Sequence, residues 1–242
     1  MFSRPFSRRS ATTAVLGILA ALPFHVSNAA PIFGPLPYLG VADSPFAGLT
    51  DLVVEDFEDG YANTAGMIFD AIQVLAPGPL TDSVDEDDGA IDGFGTGGHS
   101  LYSNGRNAIS ILFDALVLGR LPTHAGIVWT DVGDVTAATA GYGDVVFEAF
   151  DATDTSLGIV VASQLGDGLP GGSTDEDRFF GIQHDAGILR MTLTMPNSLD
   201  WEADHVQFSL AAPVPEPAAL ALMLIGLVAT LAGYRRSASG EG

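Results

Sequence analysis

Residues 145–162 read VVFEAFDATDTSLGIVVA, and this stretch gives the clearest indication of the fold. Two runs rich in β-branched and aromatic residues, 145–150 and 157–162, flank the polar segment Asp151-Ala152-Thr153-Asp154. Runs of this composition favour strands, and Asp and Thr favour a reversal of the chain between them. The stretch therefore predicts a β-hairpin.

Further runs of the same kind lie on both sides of the hairpin, separated by clusters of Gly, Asp, Asn and Pro. They occupy residues 52–58, 66–75, 109–117, 126–130, 178–182, 188–195 and 206–210. With the hairpin they make nine predicted strands, whereas helical periodicity is weak except over 109–118. Short strands in this number predict an all-β chain folded as a jelly-roll-like β-sandwich.

The last two runs alternate in polarity. In 189–195 the odd-numbered residues are apolar and the even-numbered ones are Arg or Thr, and in 205–210 the even-numbered residues are apolar. Because successive side chains of a strand point to opposite faces, each run predicts one face in the core and one face in water.

The segment between the two chain ends, residues 31–212, has the usual size of one domain. Five of the nine basic residues and two of the thirty acidic ones lie in the chain ends, which leaves four basic and twenty-eight acidic residues and a formal charge of −24. Such a field attracts cations and repels nucleic acid, so nucleic-acid binding is excluded. The chain has no cysteine, so packing or bound ions must stabilise the domain.

Two glycine-rich acidic segments, 81–100 and 166–177, separate predicted strands. One interpretation is that they are solvated surface turns. The other is calcium coordination, because Ca²⁺ takes six to eight oxygen ligands and flexible carboxylate loops can supply them. The spacing fits no EF-hand, since a count back from Gly89 places Val84 at a position that needs an acid. Composition alone leaves both interpretations open.

The positions of acidic residues within the runs give a second argument for a metal. Asp204 shares the parity of Val206 in the last run, and Asp56 and Glu58 share the parity of Val54 in the first. These three carboxylates are therefore predicted to point towards the core. Buried charges need partners, and the domain has only four arginines. A bound Ca²⁺ is the predicted counter-ion.

No catalytic constellation stands out, and we predict no catalytic residues. The segment Gly98-His99-Ser100-Leu101-Tyr102 begins like a nucleophile elbow, but Tyr102 replaces the final glycine. The histidines lack metal-ligand spacing, and among so many acids no carboxylate pair can be singled out. Trp129 and Trp201 suit either stacking on sugars or a sandwich core.

The N-terminal end has the three parts of a signal peptide. Arg4, Arg8 and Arg9 precede the apolar run 11–24, and the segment Ser27-Asn28-Ala29 has small residues at positions −3 and −1 of a cleavage site. Cleavage after Ala29 or after Ala30 fits about equally well. The pattern predicts a signal peptide over 1–29. The residues after the arginine pair lack the bulky apolar side chain of a twin-arginine signal, which favours export by the Sec route.

The C-terminal end has three ordered parts as well. Pro215-Glu216-Pro217 precedes the uncharged apolar run 218–234, and Arg235 and Arg236 follow it. The run is about the minimum length for a membrane span, and the arginine pair would hold its end on the cytoplasmic side.

This tail, over residues 213–242, resembles the PEP-CTERM sorting signal of Gram-negative bacteria. The resemblance implies processing by exosortase, an integral-membrane transpeptidase-like enzyme, which acts while the tail lies transiently in the inner membrane. Release to the cell surface or the extracellular matrix would follow. The alternatives are a permanent C-terminal anchor and a buried helix of an ordinary domain.

The domain resembles an exported β-sandwich that recurs among PEP-CTERM proteins, through residues 52–60, 125–131, 146–151, 176–182 and 204–208. Such domains are similar to carbohydrate-binding modules, which often hold a structural calcium between an acid of the first strand and an aspartate of the last. The resemblance implies Glu55, or its neighbours Asp56 and Glu58, and Asp204 as ligands.

Two functions from different classes remain. One is a non-catalytic protein of the cell surface or extracellular matrix that binds exopolysaccharide and contains structural calcium. The alternative is a secreted hydrolase of the same polymer. We favour the first, because the sequence shows no convergent set of catalytic groups.

Overall fold

The computed structural model describes residues 30–70, 73–131, 144–163, 165 and 171–211. The predicted signal peptide and sorting tail lie outside these residues. Within them, two antiparallel sheets form a β-sandwich, as the sequence predicted. The same residues contain no helix that is long and apolar enough to cross a membrane.

Twelve strands and one short helix make up the described part of the chain. The strands are β1 (Ile32–Pro37), β2 (Val53–Glu55), β3 (Met67–Phe69), β4 (Gln73–Leu75), β5 (Ser100–Tyr102), β6 (Ala108–Phe113), β7 (His124–Trp129), β8 (Val145–Phe150), β9 (Ser156–Ala162), β10 (Arg178–Gln183), β11 (Arg190–Thr194) and β12 (Glu202–Ser209). The helix is α1 (Ala115–Leu118).

All strand pairs are antiparallel. The larger sheet has the order β1, β10, β7, β12, β5, β4, and β2 pairs with β12 beside β5. The smaller sheet has the order β3, β6, β11, β8, β9. Strands distant in sequence therefore lie side by side, and the ends of β7, β10 and β12 come together at one end of the larger sheet.

The predicted hairpin is confirmed, with β8 and β9 paired. The Asp151 carboxylate accepts the backbone N–H groups of Thr153 and Thr155, and Asp154 takes the left-handed conformation at φ 59°. Every other predicted run overlaps a strand, and β1 and β5 were missed. The run 109–117 was too long, because Asp114 caps α1 by accepting the N–H of Leu116.

The core between the sheets contains both tryptophans. Trp129 and Trp201 are fully buried, and their indole N–H groups donate to Met195 Sδ and to the carbonyl of Arg106. They pack with large apolar residues from both sheets, among them Phe147 of the smaller sheet. Because both rings are buried, neither can stack on a sugar. Trp129 and Trp201 are therefore residues of the sandwich core.

A second apolar cluster covers the outer face of the larger sheet. Tyr38, Phe46 and Val84 pack there on Val128 of β7 and Phe179 of β10. Two segments supply this cover, residues 38–52 and 76–99, and we call them the covering segments. They hide a sheet face that would otherwise lie in water.

The cover changes the environment of β12, which is buried along its whole length. Gln207 accepts a hydrogen bond from Ser44, and Ser209 donates one to Asp51, both in the first covering segment. The predicted wet face of residues 205–210 is therefore wrong. In β11, by contrast, the even-numbered residues are partly exposed, as predicted.

Candidate functional site

A β-bulge in β12 decides which side chains face the covering segments. Asp204 lies opposite Val128 and Gln207 lies opposite Gly126, so β12 has one residue more than β7 between these pairs. His205 absorbs the irregularity with φ 39°. Val206 faces the core between the sheets, whereas Asp204 and His205 both face the covering segments. The predicted shared parity of Asp204 and Val206 is wrong for this reason.

The metal ligands that were predicted from the first strand-like run accept hydrogen bonds from backbone N–H groups. The buried Glu55 carboxylate accepts the backbone N–H groups of Phe57, Asn63 and Thr64. Asp56 is exposed, and it accepts the N–H of Glu58.

Glu58 is half-buried and accepts the N–H of His99. Burial raises the pKa of the Glu58 carboxyl, and the His99 contacts oppose that shift. None of Glu55, Asp56 and Glu58 lies in a described metal-compatible group with Asp204.

The structure instead gathers three other buried acids, Asp82, Asp131 and Glu176, which we call the acidic triad. Each offers a carboxylate oxygen, and these oxygens all lie within 4.8 Å of one another. Asp82 belongs to a covering segment, Asp131 follows β7, and Glu176 ends a 3₁₀ turn before β10. The segments 81–100 and 166–177 were flagged in the sequence by composition, and the fold brings one acid from each to the end of β7.

More acids surround the acidic triad. Glu202 of β12 accepts the backbone N–H of Asp82 at 2.9 Å and the hydroxyl of Ser100. Asp177 is fully buried beside Glu176. Among the described residues, both carboxylate oxygens of Asp82 and both of Asp177 lack a hydrogen-bond partner. Burying a carboxylate without a donor destabilises the folded state, so the negative charge of Asp82 and Asp177 lacks compensation from the described donors.

Burial and neighbouring acids raise the pKa values of several of these carboxyl groups. Burial, followed by the charges of Asp131, Glu202 and Glu176, raises the pKa of Asp82 to about 9. Burial raises the pKa of Glu202 to about 7, against the hydrogen bonds from Asp82 and Ser100. Burial also raises the pKa of Asp177, and the charge of Asp82 adds to it. Each acid therefore favours a bound proton or a bound cation.

Three of the four arginines of the domain have described contacts, and none of these contacts is with a side-chain oxygen of the acidic triad. Arg106 pairs with Asp70, and Arg190 pairs with Asp154 while lying over the Phe150 ring. Arg178 donates to the backbone carbonyls of residues 175 and 177.

A second group of possible ligands, Asp87, Asp204 and His205, is held together by hydrogen bonds. The amide N–H of Gln207 donates to the Tyr38 oxygen at 2.6 Å, so the Tyr38 hydroxyl donates to His205 Nδ1 at 2.8 Å. His205 Nε2–H then donates to Asp87 at 2.8 Å. We call this series the hydrogen-bond chain.

Burial raises the pKa of Tyr38, so its hydroxyl keeps the proton that it donates. Asp204 accepts the backbone N–H groups of Val84 and His205. Both nitrogens of His205 are occupied in this arrangement, and Asp87 Oδ2 is the one carboxylate oxygen of the group that lacks a hydrogen-bond partner among the described residues.

The surface of the described residues includes two grooves of sufficient size for a ligand. The larger, of about 550 Å³, is lined by Gly60, Tyr61, Ala62, Met67, Ile68, Phe69 and Val74. The Tyr61 side chain is 67% exposed there. The smaller, of about 300 Å³, is lined by Phe33, Pro45, Phe46, Leu49, His124, Gln183 and Ala211. The acids of the triad region line neither groove, so neither presents that carboxylate set to a substrate.

Comparison with known proteins assigns no family to the chain. No family model matches the chain, and no curated protein matches it. Among solved structures, the chain is similar to the CBM22-2 xylan-binding domain from Paenibacillus barcinonensis Xyn10C. The identity is 15%, the TM-score is 0.35, and the match covers 66% of this chain and 99% of that one. The β-sandwich assignment rests on the two sheets themselves.

Proposed function

We propose that the protein is an exported, non-catalytic β-sandwich that binds extracellular polysaccharide in the groove beside Tyr61. The observation that carries this proposal is the exposed Tyr61 ring at an open groove. An aromatic ring offers a flat apolar surface with a polar tip, which suits the mixed surface of a sugar. Tyr61 and the half-exposed Ile68 line the same groove, and contiguous exposed apolar groups of this kind mark interaction sites.

The surroundings of the groove favour an uncharged polymer. Asp59 and Asn63 hold the turn that presents Tyr61, through hydrogen bonds to the Tyr61 N–H and to each other. The domain's formal charge of −24 repels anionic chains over distances of about a Debye length, roughly 10 Å at 0.1 M salt. The groove is open to solvent, which suits a long chain better than an enclosed cavity would.

Affinity electrophoresis tests the binding. The exported protein should be retarded in gels that contain the producer's exopolysaccharide or neutral dextran, and retarded less by anionic alginate. Tyr61→Ala should abolish the retardation. Phe94→Ala, which removes another exposed ring outside the groove, should leave it unchanged. Equal retardation of Tyr61→Ala and the parent protein would remove the groove from the proposal, and release of reducing ends would favour the hydrolase alternative.

The chain ends support the proposed route to the cell surface. The N-terminal segment would direct Sec export, and exosortase would process the tail at the inner membrane. Glu216→Ala should then give unprocessed protein retained in the membrane, whereas Glu241→Ala, beyond the arginine pair, should be processed normally. Intact-mass measurement of cell and medium fractions decides between these outcomes. Release of Glu216→Ala with unchanged processing would contradict the sorting proposal and leave polysaccharide binding unaffected.

A further inference from the structure

We propose that the acidic triad of Asp82, Asp131 and Glu176 binds one Ca²⁺ ion in the folded protein. The site differs from the ligand set that the sequence predicted, because it does not use Glu55, Asp56, Glu58 or Asp204. It also stands apart from the Tyr61 groove, so its failure would leave polysaccharide binding untouched.

The spacing of the acidic triad suits calcium. Ca²⁺ lies 2.3–2.6 Å from its oxygen ligands, so two ligands of one ion are at most about 5 Å apart. The oxygens of the triad lie within 4.8 Å of one another. Mg²⁺ demands near-ideal octahedral geometry and usually keeps several waters, so a set of protein carboxylates favours the more adaptable Ca²⁺. An all-carboxylate set also disfavours the metals that prefer nitrogen or sulfur.

The state of Asp82 points to a ligand independently of the clustering. Its side chain is 1% exposed and lies against two other carboxylates, and neither of its oxygens has a hydrogen-bond partner among the described residues. Its backbone N–H donates to Glu202, so the main chain at Asp82 is held beside that acid. A buried carboxylate that lies beside other carboxylates and has no described donor of its own is stabilised by a cation.

The neighbours extend the oxygen supply. Asp177 follows Glu176 directly and has two further carboxylate oxygens without hydrogen-bond partners in the described structure. Glu202 lies close enough to add its charge to that of Asp82. A calcium ion with six to eight ligands can therefore find carboxylates beyond the first three.

The second metal-compatible group serves as the internal contrast. Asp87, Asp204 and His205 are close together too, but donors reach them through the hydrogen-bond chain and two backbone N–H groups. We assign no ion to that group. The two groups differ in the number of donors: Asp87 Oδ2 is the one carboxylate oxygen of this group without a described partner, whereas both oxygens of Asp82 and both of Asp177 lack one.

The test uses the exported protein stripped of metal with EDTA. Thermal melts in Ca²⁺, Mg²⁺ or chelator at equal ionic strength should show a calcium-specific rise of about 5 to 10 °C at a hundredfold excess over Kd. Asp82→Asn removes the charge and keeps the shape, and it should lower the calcium affinity at least tenfold. The matched control is Asp92→Asn, an exposed acid of the same covering segment, which should keep the full rise.

Direct titration calorimetry gives a second measurement that does not depend on unfolding. It should show one Ca²⁺ per chain, lost in Asp82→Asn and in Glu176→Gln and kept in Asp92→Asn. Equal stabilisation by Ca²⁺ and Mg²⁺, or a calcium response that survives Asp82→Asn, would overturn the proposal. Asp82→Asn has no charge to bury, so it should fold at least as well as the parent protein in chelator.

Discussion

Glu55 and Asp82 are both buried carboxylates, yet the chain treats them in opposite ways. Glu55 is 4% exposed and accepts three backbone N–H groups from the turn that follows β2. Asp82 is 1% exposed, and no described donor reaches its carboxylate. Burial alone therefore does not mark a cation site. What distinguishes the proposed cation site is the lack of hydrogen-bond donors to the Asp82 carboxylate.

The local backbone explains the difference. After Glu55 the chain turns sharply, with Phe57 at φ 58° and Gly60 at φ 82°, and the amides of this turn point back at the carboxylate. The amide of Asp82 donates to Glu202, and no described amide donates to the Asp82 carboxylate. One acid completes a turn, whereas the other faces further acids.

The largest effect should come from removing the acid that already has its donors. Glu55→Ala leaves three N–H groups without a charged acceptor, which should cost about 3 to 4 kcal/mol of unfolding free energy. Urea denaturation followed by tryptophan fluorescence measures the loss. The loss should be the same with Ca²⁺ and with chelator, because Glu55 serves the turn.

The control for Glu55→Ala is its exposed neighbour. Asp56→Ala should cost less than about 1 kcal/mol, since Asp56 accepts one N–H group at the surface. If Glu55→Ala lowered the unfolding free energy only in the presence of calcium, Glu55 would be a metal ligand after all.

The sequence predicted the parts of the fold that depend on local pattern. The hairpin of β8 and β9 follows from two strand-like runs and a short polar turn, and the structure confirms it. The faces of β12 could not be predicted in this way. Their burial depends on the covering segments, and their parity depends on a bulge that one residue, His205, absorbs.

The candidate site shows the same limit. Composition identified the acidic segments that contain Asp82 and Glu176, but it could not show that they meet Asp131. That meeting depends on the order β10, β7, β12 in the larger sheet, which joins strands far apart in sequence. Sequence analysis therefore favoured a calcium ion and chose other ligands.

Without metal, the acidic triad region should make stability fall as the pH rises. An acid whose pKa is higher in the folded state than in the unfolded chain binds its proton more tightly when folded, so folding is favoured at low pH and loses that advantage as the pH rises. Glu202 has a pKa of about 7 and Asp82 of about 9, so the loss should extend from about pH 4 to about pH 9.

Melting curves in chelator at a series of pH values check this prediction. The melting temperature should fall by several degrees between about pH 6 and pH 9, where ordinary carboxyls no longer titrate. Calcium should remove the fall by taking the place of the protons. Asp82→Asn should flatten the curve in chelator, and a melting temperature that rises over this interval would contradict the raised pKa values.

Breaking the hydrogen-bond chain should have a smaller effect that calcium does not change. Tyr38→Phe keeps the ring stacked beside Phe179 but leaves His205 Nδ1 without its donor and Gln207 Nε2 without its acceptor. The expected cost is about 1 to 2 kcal/mol in urea denaturation. Tyr61→Phe is the control, because the exposed Tyr61 hydroxyl should contribute almost nothing to stability. A Tyr38→Phe protein that lost its calcium response would link this group to the ion.

The smallest effect should come from a buried hydroxyl that no described donor or acceptor contacts. Thr174 is 1% exposed and its Oγ1 lacks a hydrogen-bond partner in the described structure, so Thr174→Val removes no intramolecular bond and should change stability by less than about 0.5 kcal/mol in chelator. Ser100→Ala is the matched contrast, because Ser100 donates to Glu202, and it should cost about 1 kcal/mol. Paired urea denaturation measures both. Near-equal losses of stability in the two variants would show that the hydrogen bond from Ser100 to Glu202 contributes little. A loss above about 1.5 kcal/mol for Thr174→Val would show that the Thr174 hydroxyl makes a hydrogen bond, so that a lack of described partners does not identify an unsatisfied group.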